Sequence, residues 1–133
     1  MIEWTADLLL GHEAIDAQHR EMVVAANGVH RAFAGGSRDA RSAALRELRD
    51  VTAAHFLYEE ELMRKHAYPN AGVHAENHAG LMEQLARLTA LLHVDGGGEK
   101  VLPFLRGWVV SHIVHFDRDV VLHLNRALPE AHG

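Results

Sequence analysis

The sequence predicts an all-α protein: an up-down-up-down four-helix bundle with an N-terminal arm and a short C-terminal helical segment. Three observations lead there. Ala, Leu, Glu and Arg dominate, and β-branched residues are sparse outside Trp108-Val-Val and Asp119-Val-Val, a balance that favours helix over strand. Turn-forming stretches at 35–37 (GlyGlySer), 68–70 (TyrProAsn) and 95–98 (AspGlyGlyGly) divide the chain into four segments, with no internal repeat. Within each segment, apolar residues recur at alternating spacings of three and four, the signature of one helical face.

Residues 1–12 are expected to form an arm laid across the bundle and anchored by Trp4. The first helix, about 13–34, carries Ile15, His19, Met22, Ala26, Val29 and Phe33 on one face, with Asp16 as its expected cap. The second, about 38–65, carries Leu45, Leu48, Thr52, His55, Glu59 and Leu62. The third, about 71–93, presents His74, His78, Leu81, Leu85, Leu88 and Leu92. The fourth, about 99–117, presents Val101, Leu105, Trp108 and His112, and Pro103 is tolerated because it falls in the first turn. The C-terminal segment takes 118–133. Four amphipathic helices joined by short connections imply the up-down-up-down order, and 133 residues suffice for a single domain with a real core.

Composition narrows the function. A formal charge of −5 without a Lys/Arg-rich run gives no electrostatic footprint for nucleic acid or an anionic membrane. The absence of cysteine excludes disulfides, iron–sulfur clusters and thiolate zinc sites, so any metal must use nitrogen and oxygen ligands. No basic, apolar leader opens the chain and no apolar run reaches the length of a membrane span, so a soluble cytoplasmic protein is the expectation.

Twelve histidines are the anomaly. Every stripe holds at least one among its apolar residues: His19; His55 with Glu59; His74 with His78; His112. Unpaired burial of a carboxylate costs several kcal/mol or more, so Glu59 on a core stripe demands a partner. In a bundle the four stripes converge, and the pairs spaced by four lie one above the other, within reach of one ion. The donors exceed what one tetrahedral zinc needs and suit two iron or manganese ions bridged by carboxylates. The Glu-x-x-His pairs of ferritin-like proteins and the His-Glu-x-x-His of zinc proteases are both absent. Glu60, Glu61, Glu47 and Glu83 are expected to face solvent. His12, His30, His66, His93, His123 and His132 are assigned to structural or surface roles, and the spacing leaves His115, one turn from His112, open.

Five stretches together resemble the hemerythrin family in its single-domain bacterial form. They are Ile15-Asp-Ala-Gln-His19, His55-Phe-Leu-Tyr-Glu59-Glu-Glu-Leu-Met63, Tyr68-Pro69, His74-Ala-Glu-Asn-His78 and Trp108-Val-Val-Ser-His112-Ile-Val-His-Phe-Asp117. The resemblance covers almost the whole chain. It implies two non-haem iron ions: one on His74, His78 and His112, the other on His19 and His55, both bridged by Glu59, Asp117 and an oxo or hydroxo group. Asp117 enters through the resemblance alone, since five residues from His112 is about 140° off the stripe of an ideal helix. A π-bulge between the two is therefore expected.

The implied function is reversible binding of dioxygen for storage, delivery or sensing by a monomer, with no turnover required. The rival readings are a di-iron enzyme acting on oxygen, peroxide or nitric oxide, and a redox module read by a partner protein. Trp108, Val109 and Ile113 are the candidate wall of the oxygen pocket. Two positions depart from the family pattern: His115, a titratable group close to the last ligands, and Val120, where many relatives carry an aromatic residue. Both point to a more polar, leakier site.

Overall fold

The computed structural model describes residues 1–92 and 98–127, and no strand occurs among them. A short 3-10 turn, Ala6–Leu8, lies in the arm. It is followed by α1 (Glu13–Gly35), α2 (Arg38–Lys65), α3 (Ala71–Arg87), α4 (Gly98–His112) and α5 (Arg118–Ala127). A single π-helical turn, Ile113–Asp117, links α4 to α5. The π turn expected from the five-residue offset of Asp117 is therefore present. None of the described helices is long and apolar enough to cross a membrane.

Local chemistry sets the helix ends. Ser37 caps α2, its hydroxyl accepting the Ala40 N–H at 3.1 Å. The chain can turn so closely from α1 into α2 because Gly36 has no side chain: a Cβ there would lie 2.7 Å from the Ala32 carbonyl oxygen. Two details differ from the sequence expectation. The cap of α1 is His12, whose Nδ1 accepts the Ile15 N–H, while Asp16 accepts the N–H groups of Leu10 and Gly11 and so ties down the arm's last turn. The third helix stops being α-helical at Arg87 and tightens into a 3-10 turn, Leu88–Leu91, the usual way a last turn satisfies its orphan carbonyls. His93, His132 and the end of the C-terminal segment lie outside the described residues.

The arm is held by more than Trp4, which packs partly buried with the Arg20 guanidinium 5.1 Å from its ring centroid. Asn27, buried on α1, accepts the Ile2 N–H at 2.8 Å and donates to the Ile2 carbonyl at 2.9 Å, while Ile2 and Leu8 join the core. Asn27→Ala leaves both buried backbone groups of Ile2 unpaired. It is expected to cost about 1–3 kcal/mol per orphaned group, read as a lower urea midpoint with an unchanged slope.

The core is in two parts. The larger cluster takes Met22, Val29 and Phe33 from α1, Leu48 and Phe56 from α2, Leu85 from α3, and Leu105, Val109 and Ile113 from α4 and the π turn. The smaller takes Ile15, Met63, Val120, Val121 and Leu124. Along α1, α2 and the run from the π turn into α5, the change from one cluster to the other falls on titratable residues. His19 separates Ile15 from Met22, Glu59 separates Phe56 from Met63, and Asp117 separates Ile113 from Val120. A polar layer thus crosses the bundle with an apolar plug on either side.

Candidate metal centre

Seven side chains make up the layer, and all are withdrawn from water: His19, His55, Glu59 and Asp117 are fully buried, and His74, His78 and His112 nearly so. His19 Nε2 lies 2.6 Å and His55 Nε2 3.1 Å from Asp117 Oδ2. His74 Nε2 and His112 Nε2 lie 3.0 and 2.8 Å from Asp117 Oδ1. On Glu59, Oε1 is 2.5 Å from His74 Nε2 and 3.1 Å from His78 Nε2, and Oε2 is 3.5 Å from His55 Nε2.

The donor atoms sort into two sets, each within 4.8 Å: Glu59, His74, His78, His112 and Asp117, and His19, His55, Glu59 and Asp117. Both carboxylates belong to both sets, and no histidine belongs to more than one. Several of these atoms are close without satisfying one another. Glu59 Oε2, His74 Nε2, His112 Nε2 and Asp117 Oδ1 are buried and make no hydrogen bond. In a low-dielectric interior such orphans are costly, and two cations with nitrogen and oxygen ligands would answer them. The residues present therefore fit a pair of metal ions.

Electrostatics agrees. Burial would raise the Asp117 carboxyl, but the imidazole nitrogens of His112, His19, His55 and His74 gathered around it outweigh that and hold Asp117 well below the ordinary carboxylate range. Burial would lower His74, yet the Asp117 and Glu59 carboxylates push it up to about 9. For His112 burial wins and its pKa falls.

His74 thus carries a proton at neutral pH when no metal is bound, and its raised pKa stabilises that form fully below the unfolded value of about 6.5 and ceases to do so as pH climbs through about 9. A metal must displace this proton. Ferrous affinity, measured anaerobically, is accordingly expected to rise up to about tenfold per pH unit between neutrality and about pH 9, with matching proton release in weak buffer.

The outer nitrogens of the histidines follow a rule of their own. Gln18, next to His19 on α1, receives His55 Nδ1 on α2 at 2.7 Å. Glu60, next to Glu59 on α2, receives His78 Nδ1 on α3 at 2.9 Å. Asn77, next to His78 on α3, receives His112 Nδ1 on α4 at 2.6 Å. Each of these three histidines is oriented by a residue adjacent in sequence to a site residue on the preceding helix. The circuit is not closed: His19 Nδ1 is buried without a partner.

Sequence reasoning misses these three partners and places Glu60 in solvent. Glu60 is half-buried and turned back onto His78. His115 also corrects an expectation, because its side chain is exposed and adds no titratable group to the centre. Val120 is fully buried in the smaller cluster. Trp108, Val109 and Ile113 are buried in the larger cluster, and Trp108 Nε1 donates to the Leu81 carbonyl at 3.0 Å. His66 and His123 pair away from the centre, His123 Nε2 lying 2.8 Å from the His66 carbonyl.

The family described as hemerythrin HHE cation binding domain matches residues 10–121. A bacteriohemerythrin of Stenotrophomonas maltophilia is 30% identical over 95% of this chain and 86% of its own. One of Pseudomonas aeruginosa is 27% identical over 96% of this chain and 84% of its own. A hemerythrin-like protein of Naegleria gruberi is 24% identical over 83% and 82% respectively.

Proposed function

This chain belongs to the hemerythrin family, and from that premise we propose that its non-haem di-iron site binds dioxygen reversibly, for storage, delivery or sensing. His74, His78 and His112 would hold one iron and His19 and His55 the other, with Glu59 and Asp117 available to both. One observation carries the assignment: the two donor sets share both carboxylates and nothing else. By donor count, one iron would have three histidines and the other two, so the second would be the one with room for oxygen.

When bound, the iron pair would supply the redox chemistry of oxygen binding, and the chain's residues decide whether binding reverses. The apolar clusters on either side keep water and protons from the layer. Trp108, Val109 and Ile113 are the proposed wall of the oxygen pocket. The exposure of His115 removes that expected source of polarity, which favours a reversible binder over an enzyme.

The test is to reduce the iron-loaded protein anaerobically, admit oxygen and then remove it, following the visible spectrum and the bound iron. An absorption band that comes and goes with oxygen at two irons per chain is the expected result. Immediate conversion to a stable ferric form would instead assign the centre to redox chemistry.

A further inference from the structure

We propose that Glu60 is a positioning residue that sets the redox poise of the centre through His78, an inference that rests on the di-iron reading above. The contact is direct: with Nε2 directed at the centre, the Nδ1–H of His78 donates to Glu60 Oε2 at 2.9 Å. The His78 ring is 3% exposed and lies flat on Phe56, with ring centroids 3.8 Å apart and planes 6° from parallel, so its orientation is fixed on one face by packing and at its edge by Glu60.

What distinguishes Glu60 is charge. The corresponding partners of His55 and His112, Gln18 and Asn77, accept through neutral amide oxygens, and His19 Nδ1 has no partner. Among the described residues, Glu60 is the one carboxylate on an outer histidine nitrogen, and it serves the side with three histidines. Its place in the helix-to-helix circuit marks it as part of the centre rather than a solvated charge. Its neighbour Glu61 shows the contrast, being exposed and paired with Arg64.

A carboxylate draws the Nδ1 proton harder than an amide does, which makes the imidazole a stronger electron donor. A stronger donor favours the ferric over the ferrous ion and lowers the midpoint potential. Gln18 and Asn77 lack that effect, so the two irons are unequal by more than their number of histidines.

Anaerobic redox titration of the iron-loaded protein tests this. Glu60→Gln keeps the length and the acceptor oxygen but not the charge; two irons per chain should remain and the midpoint should rise. Glu61→Gln removes the same charge without touching a histidine and should leave the midpoint in place. Gln18→Glu installs the carboxylate on His55 and should lower it. Glu60→Ala, which frees the ring edge, should weaken iron affinity by about 10- to 100-fold.

An unchanged midpoint in an iron-replete Glu60→Gln variant overturns the inference, as do equal shifts from Glu60→Gln and Glu61→Gln. Should Glu60→Gln lose its iron, an unchanged midpoint in Gln18→Glu overturns it. Failure of the unmodified chain to take up two irons is a different result, and it removes the di-iron reading itself.

Discussion

Glu59→Ala is expected to empty both metal positions at once and to erase the difference in stability between the iron-loaded and metal-free protein. Glu59 lies in both donor sets, with Oε1 toward His74 and His78 and Oε2 toward His55. Removing one histidine leaves both shared carboxylates in place. Removing Glu59 takes a proposed ligand from each ion and one of the two carboxylates that both donor sets share. A ligand present at a thousand times its Kd stabilises the fold by about 4 kcal/mol, and that increment should disappear.

The metal-free variant loses the acceptor of His78 and one of the two carboxylates that hold the His74 proton. Glu59 Oε2 makes no hydrogen bond, so relief of a buried unpaired acceptor offsets part of that loss. Iron analysis beside thermal unfolding of both forms checks the two parts separately. Retention of two irons by Glu59→Ala would show that Glu59 does not bridge. His19→Ala is the graded comparison, since His19 belongs to one set alone.

How much of the centre is legible in the sequence depends on which physical rule each residue obeys. Helical periodicity is strict about faces, and by itself it sets His19, His55, Glu59, His74, His78 and His112 on converging stripes. Asp117 breaks that rule because a π turn intervenes, and periodicity alone assigns it to the wrong face; only the family resemblance points to it. Glu60 escapes for another reason. It sits about 100° from Glu59 around the helix, which is the flank of the stripe, and a flank glutamate either faces water or reaches back across to the next helix. Periodicity does not decide between these; the nearness of His78 does. Gln18 and Asn77 carry a readable signal, a polar side chain beside a ligand on a face turned to the neighbouring helix. Its meaning needs the order of the helices around the bundle. The α3 end is overestimated because apolar spacing continues through Leu88 and Leu92, and a 3-10 turn preserves enough of that spacing to look like more α-helix.

The π turn leads to the second large effect, an asymmetry between adding and removing a residue. A π turn is an α-helix carrying one extra residue, and here the extra residue keeps His112 and Asp117 in one buried layer while Val120, Val121 and Leu124 remain in the smaller cluster. Deleting His115, whose side chain is exposed, converts the turn to α-helix and brings the two ligand positions to the spacing of a single α-helical turn. The two then still lie one above the other, and α5 keeps its facing. The deletion is expected to retain two irons per chain and to cost little stability.

Inserting an alanine between Phe116 and Asp117 should do the opposite. It rotates Asp117 and everything after it by about 100°, withdraws a carboxylate from both donor sets, and turns the apolar face of α5 away from Ile15 and Met63. Both irons should be lost, and the displaced side chains should each cost about 1.5–3 kcal/mol of burial. Iron analysis and urea unfolding of the two variants side by side separate the explanations. If deletion and insertion are equally damaging, the turn holds Asp117 through geometry peculiar to the π conformation. If deletion is tolerated, the extra residue serves only to keep ligand and core faces in phase.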